Sequence, residues 1–250
     1  AASDVYKRQA FDNAAVALES GAPEVTLFCR RAAPQVIQPY RWLTFRGFLA
    51  HLGDRDDAWR WRFMRHILAL REGFPQQTYD RCACHDNFEV VAGAPWDAVD
   101  VRDGQVHLST PKGDFAADSV IRGTGVDLDF AVRPELARFA ANIATWSDCY
   151  APPEAERDAR LGRFPYLSQD FAFVEKVPDT TPWIKDIHLF AIASTMSFGP
   201  SGASINAMTT VVPKLVSSIT KGLFEADVEH HWQSLQSYDV PQAIIPDDGE

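Results

Sequence analysis

The chain has 250 residues, with 24 Lys plus Arg against 34 Asp plus Glu and a formal net charge of -10. Hydrophobic residues at 46% and charged residues at 23% give globular composition rather than that of a disordered chain. An acidic chain is poorly suited to binding phosphate backbones, no apolar run reaches the roughly 20 residues of a transmembrane helix, and four cysteines are too few for a disulfide scaffold; nucleic acid is not an expected partner and the cytoplasm is the default compartment.

Residues 1–9 have no capping logic toward the helical pattern after them and do not open with Met. They read as a non-native scar, one frame of a transposon end used in preparing sequencing libraries, and are set aside. On that reading the natural chain continues upstream of Ala10. Ala10 to Ser20 (AFDNAAVALES) has helical spacing, with Phe11, Ala14, Ala15 and Leu18 on one face and Gly21 closing it. Glu24 to Cys29 is β-rich and runs into Arg30-Arg31. Helix, glycine, strand and basic pair form the second half of a nucleotide-binding βαβ unit.

From Pro34 to Phe74 aromatic residues alternate with arginines, and Asp57 to Leu70 reads as a helix. Strands are expected at Phe88 to Val91, Ala98 to Val101, Val106 to Ser109 and Asp114 to Ile121, with a hairpin turn at Asp103-Gly104. The last of these ends in a small-residue break, Arg122 to Gly125. A helix is expected over Pro134 to Ile143, a charged and exposed connection over Ala151 to Arg163, and a buried-type strand over Asp186 to Ser194. A Gly/Ser loop from Ser197 to Ser204 then leads into a helix from Ile205 to Leu223, which Pro213 would kink unless it starts later. Asp227 to Gln236 reads as a short helix, followed by a tail.

Two places carry ligand chemistry. In a dinucleotide fold the residue after the second strand meets the adenosine ribose, and arginine there suits a 2′-phosphate, hence NADP over NAD. The alternative for Arg30 and Arg31 is a solvated strand end. In the passage from Ile187 to Thr210, loop glycines and a helix N-terminus suit a phosphate or the electron-rich carbonyl edge of a flavin. The alternative is a plain turn; Gly-Pro-Ser-Gly is not a nucleophile elbow. Cys82 and Cys84, spaced CxC, read as structural rather than metal or redox cysteines. His188 reads as a core histidine, and His230 and His231 as surface. The Trp/Arg stretch from Tyr40 to Arg65 either packs by its aromatic side, pairing Arg with Asp, or lines a cleft.

Three segments together carry a resemblance. AFDNAAVALESGAPEVTLFCRR, ADSVIRGTGVDLD and IHLFAIASTMSFGPSGASINAMTTVVPKL resemble, in order, parts of the flavin-containing monooxygenase group of two-dinucleotide-binding-domain flavoproteins. They correspond to the helix and second strand of the NADP-binding domain, the linker leaving it, and the final FAD-domain strand with the helix facing the flavin. Neither of that group's glycine fingerprints is in this sequence, and Gly123 stands where the linker usually has Ala.

The resemblance implies an α/β fold: a Rossmann-like, three-layer NADP-binding domain over 10–125, lacking its first strand and glycine loop, then the C-terminal part of an FAD-binding domain over 126–240, with a tail at 241–250. It implies FAD and NADP as cofactors. The residues assigned to them are Arg30, Arg31, Thr124, Gly125, Ser197, Phe198, Gly199, Pro200, Ser201, Gly202, Ser204, Ile205 and Asn206; no catalytic acid or base is named. In the group NADPH reduces FAD, and reduced flavin with O2 forms a C4a-hydroperoxide that oxygenates a small nucleophilic or carbonyl substrate. The resemblance leaves a homodimer open, and this piece alone is expected to be inactive. A bulky side chain at Gly199 or Gly202 is expected to expel FAD from the parent while leaving it folded. The rivals are a flavin-dependent disulfide reductase and a non-catalytic nucleotide-binding module.

Overall fold

Alanines and apolar residues at helical spacing wind Lys7–Glu19 into α1, starting three residues before the helix read from the pattern. Its inner face buries Phe11, Ala14, Ala15 and Leu18. Gly21 (φ +88°) closes the helix in the left-handed region, its N–H donating to Leu18 O. The computed structural model describes residues 7–123, 128–200, 202 and 204–243.

Strand β1 (Val25–Cys29) pairs in parallel with β2 (Phe88–Ala92), Leu27 lying opposite Val90. The crossover runs through α2 (Pro39–Leu43), α3 (Arg46–His51), α4 (Asp57–Leu70) and α5 (Gln76–Ala83). Helix α4 has the bounds its sequence suggests, because Asp56 accepts a hydrogen bond from the Trp59 N–H and caps its start. Helix α5 lies against α1, where Phe11 meets Phe74, Tyr79 and Phe88 around buried Cys82. Strands β3 (Ala98–Arg102), β4 (Gln105–Thr110) and β5 (Gly113–Ala117) form an antiparallel sheet. Asp103 and Gly104, at φ +51° and +82°, make its first hairpin turn. Strand β5 stops four residues before the expected Ile121.

Beyond residue 128 the chain is mostly short turns: α6 (Pro134–Ala137), α7 (Trp146–Cys149), α8 (Ala159–Gly162) and α9 (Thr195–Phe198). Two long helices follow, α10 (Ile205–Ala226) and α11 (Val228–Gln236). Three expectations are corrected. The helix read over Pro134 to Ile143 is one α-turn and a separate 3-10 turn, because Asn142 turns inward to bond Val177 and Thr181. The connection from Ala151 to Arg163 is not merely exposed: Leu161 is buried, and the Glu156 carbonyl accepts from Trp61 Nε1–H. Asp186 to Ser194 is not a strand. It makes a single antiparallel bridge, Ala172 to His188, before a 3-10 turn at Ile192–Ser194.

The fold class narrows accordingly. Among the described residues the parallel sheet has two strands, with α1 and α5 packed on one face around Leu27 and Cys82 and the antiparallel sheet on the other around Phe28, Leu108 and Phe115; the structure is mixed α/β. Its largest core joins Leu43, Phe48, Trp61 and Met64 to Trp146, Phe171, Phe173, Met196, Phe198 and Val211. Residues 39–70 therefore pack with 130–211, although they lie between β1 and β2 in the chain.

Candidate functional site

Parallel pairing with β2 brings the end of β1 beside Gly93 and Ala94, whose N–H groups donate to Arg31 O and Cys29 O. Arg30 is exposed there. Arg31 Nη2 donates to Ala69 O at 2.9 Å, satisfying one of the last carbonyls of α4. Arg31 thus ties β1 to the end of α4.

The loop assigned to a flavin divides in two. Ser197, Phe198, Gly199 and Pro200 are buried. The Phe198 ring stacks on Phe171 with centroids 3.7 Å apart, and a Cβ on Gly53 would come within 2.4 Å of it. Gly199 (φ +72°) faces Leu52 and Phe48, and a Cβ on Gly202 would lie 2.4 Å from the Ala191 backbone nitrogen. Both glycines permit close approach of protein to protein. The expectation for Gly199 and Gly202 is corrected: a bulky side chain there would strike the core before it met a ligand, so fold and binding would fail together.

The other half faces outward. Ile205 is 82% exposed and Asn206 is exposed. Ser204 occupies the N-cap position of α10 but makes no side-chain capping bond, and the first turn carries no acidic residue. That end of a 22-residue helix presents N–H groups and partial positive charge to an acceptor from outside. In α9, the Thr195 and Ser197 hydroxyls are buried without a hydrogen-bond partner among the described residues. Of the predicted site residues, Thr124, Gly125 and Ser201 lie outside the described residues.

Several contacts around this region were not singled out in the sequence. Gln169 Nε2 donates to Gly53 O at 2.8 Å, and Lys214 pairs with Asp54 at 2.6 Å, its ammonium 5.9 Å from the Phe198 ring centre. The first ties the 46–54 segment to the loop at residue 169, and the second ties it to α10. Arg60 is buried between Trp146 and Tyr166, 4.9 and 5.4 Å from their ring centres, and pairs with Asp57. The Trp/Arg stretch packs by its aromatic side while pairing Arg with Asp, although Trp42, Phe45 and Trp59 keep about half their surface exposed. The pairing was legible from the i, i+3 spacing; the burial of the arginine was not.

His188 behaves as read, half-buried with Nδ1 2.7 Å from Asp170 O. Cys82 and Cys84 are free. Burial pushes the Cys82 thiol up to about 11, so it stays protonated at neutral pH and is a poor redox nucleophile. Among the described residues no cluster of His, Cys, Asp and Glu could hold a metal, and no helix is long and apolar enough to cross a membrane.

The arrangement matches solved flavin-dependent monooxygenases at the level of the fold. L-lysine 6-monooxygenase from Pseudomonas syringae superimposes with a TM-score of 0.58 at 15% identity, over 88% of this chain and 52% of that one. The ornithine N-hydroxylase of Kutzneria sp. 744, whose structure is described with reduced FAD, NADP+ and L-ornithine, gives 0.58 at 15%, over 88% and 53%. In sequence, the chain is similar to an FAD-dependent urate hydroxylase of Xanthomonas campestris pv. campestris, at 28% identity over 235 residues. That match covers 94% of this chain and 50% of the relative, so the chain spans about half the length of the protein it resembles. No family model matches.

Proposed function

We propose that this chain is part of an FAD- and NADPH-dependent monooxygenase acting on a small nucleophilic or carbonyl substrate with O2. The observation that carries the proposal is sequence similarity to an FAD-dependent hydroxylase along 94% of the chain. The N-terminal end of α10, where Ile205 and Asn206 are exposed, supports it, with Ser204, Ile205 and Asn206 as the residues nearest a flavin's carbonyl edge. Flavin, when bound, would supply the electron and oxygen chemistry. The chain's own part is to orient an electron-rich edge on α10 amides and keep water from the apolar ground behind Phe198 and Phe171. Arg30 would meet the NADP 2′-phosphate, with Arg31 holding the strand end in place. The division into a NADP-binding part, 10–125, and an FAD-binding part, 126–240, belongs to the same reading, with the helices of 39–70 built into the second part's core.

The test uses the full-length parent, with Asn206→Asp as the diagnostic variant. A carboxylate in the first turn suits the helix dipole, so the variant should hold or raise thermal stability. The same charge would face the flavin carbonyl and compete for its amides. Bound FAD, measured by flavin absorbance per protein, should fall about tenfold or more in affinity, a loss of about 1.5 kcal/mol or more for a charge-influenced hydrogen bond. Unchanged flavin content would remove α10 from the cofactor site, and a parent that holds no FAD would end the proposal.

A further inference from the structure

The loops that leave the carboxyl ends of β1 and β2 lie side by side, joined by the bonds from the Gly93 and Ala94 N–H groups to Arg31 O and Cys29 O. In a parallel α/β sheet that edge is where a nucleotide sits. Neither loop carries an acid: the sequence has no Asp or Glu from Arg30 to Gly53, or from Val90 to Trp96, although the chain holds 34. A second element delivers another cation to the same edge. Phe115 of β5 packs edge-on to Phe28 of β1 with centroids 4.8 Å apart, and Leu108 of β4 is buried in the same cluster, which seats the antiparallel sheet on β1. The β4–β5 turn, Pro111 and Lys112, is held by Thr110, whose hydroxyl accepts from the Lys112 N–H at 3.1 Å and donates to Gly113 O at 2.9 Å. The Lys112 side chain runs over Gly93: a Cβ there would lie 3.6 Å from Lys112 Cε and 3.8 Å from Ala32 Cα. Ala32 stands two residues beyond Arg30, about 7 Å along an extended chain.

We propose that Lys112 is a second ligand of the NADP 2′-phosphate, meeting it together with Arg30 across the ends of β1 and β2, and so helps set the choice of NADPH over NADH. The inference rests on the reading of 10–125 as the NADP-binding part. Arginine offers a phosphate a planar fork of donors and lysine a compact point charge, so two cations from separate elements grip it from two sides. An adenosine with a free 2′-hydroxyl has no charge for the ammonium to meet. The turn's own hydrogen bonds fix the Lys112 backbone before the nucleotide arrives, which lowers the ordering cost of binding. In a chain of net charge -10, an edge with basic residues and no acid in its loops also draws an anionic ligand to one place.

In the full-length parent, titration calorimetry with adenosine 2′,5′-bisphosphate and with adenosine 5′-monophosphate reads binding apart from turnover. Lys112→Ala should weaken the bisphosphate about tenfold, Lys112→Glu should weaken it further, and Lys112→Arg should keep most of the affinity. The monophosphate should bind wild type and the alanine and arginine variants alike, melting temperatures should not move, and the loss in Lys112→Ala should shrink as salt rises. Arg30→Ala separates this proposal from the reading beneath it. If that variant loses the bisphosphate and Lys112→Ala does not, the NADP site stands and Lys112 is no part of it. If wild type binds the two nucleotides equally, the NADP reading fails and the proposal falls with it. A lower melting temperature in Lys112→Ala with bisphosphate binding intact would show that the lysine pairs within the protein, and would overturn the proposal as well.

Discussion

The α1–β1–α5–β2 unit and the aromatic core that joins residues 39–70 to 130–211 are held by different means. In the first, backbone does most of the ordering: five parallel register pairs fix β1 against β2, and one helix face fills the space beside them. In the second, regular backbone is nearly absent between residues 128 and 204, where four one-turn helices and isolated bridges replace ladders. Order there comes from buried rings and from side chains that bond to the backbone of distant segments. Trp61 and Trp146 sit 6.0 Å apart at its centre, each nearly or fully buried. Such a region should fail all at once when one keystone is lost. A region ordered by local backbone should lose stability in smaller steps.

The largest test of that contrast is Trp146→Ala. The ring contacts Trp61, Tyr150 and Tyr166 and lies under the Arg60 guanidinium. Its removal should cost about 3–5 kcal/mol by cavity formation, and it also strips a buried cation of one of its two rings. Urea titration followed by near-ultraviolet circular dichroism should show the aromatic signal lost early. A loss under about 1 kcal/mol would mean the aromatic core is more forgiving than its packing indicates.

Asn142→Ala comes next. The side-chain amide donates to Val177 O at 3.2 Å and Thr181 Oγ1 at 2.8 Å, while its Oδ1 accepts from the Val177 N–H at 2.8 Å. Truncation leaves these partners facing a void, at a cost of about 1–3 kcal/mol. Hydrogen exchange should locate the loosening at residues 175–181, about 35 positions away in sequence. Loosening confined to 140–143 would instead place the region's order in local structure.

A smaller effect is expected in the other region. Gly21 has φ +88°, and a Cβ there would touch nothing within 4 Å, so Gly21→Ala tests backbone conformation alone. The cost should be about 1 kcal/mol, with no change in the near-ultraviolet spectrum. A larger loss would show that the end of α1 does more than close a helix.

The same contrast explains what could be read in advance. Gly21, the Asp56 cap and Asp103-Gly104 each act on residues within about four positions, so α1, α4 and the β3–β4 hairpin were legible from the sequence. The run from Ile187 to Ser194 is apolar enough for a buried strand. Its neighbours decide otherwise: Leu189 N–H donates to Phe171 O, Phe173 N–H donates to Ile187 O, and no ladder continues. Gly202 was read as room for a ligand because its contact with Ala191 is invisible until the chain folds. The bond from Arg31 to Ala69 O spans 38 residues, so no local pattern announces it. Helix α10 starts at Ile205, as the sequence pattern predicts, since a helix start is itself a local event.

The smallest effect concerns pH and the link between α7 and a distant strand-like segment. Burial opposes ionisation of Asp148, but the Lys176 ammonium at 2.9 Å and the Thr145 hydroxyl and N–H outweigh it, holding the carboxyl below the ordinary aspartate range. A folded-state pKa below the unfolded value, about 3.9, means that stability from this group is present above about pH 4 and is lost as pH falls through the folded value. Both partners retain some contact with water, so the contribution is small once screened. Asp148→Asn should therefore lower stability slightly at neutral pH and flatten the acid limb of the stability curve, with wild type and variant converging at the lowest pH where both remain folded. Added salt should weaken the Lys176 part of the difference and leave the Thr145 cap. If the two proteins kept a constant separation down to that limit, the effect would come from lost packing rather than charge. The contact across 28 residues would then be one more case of order by shape, as in the rest of the aromatic core.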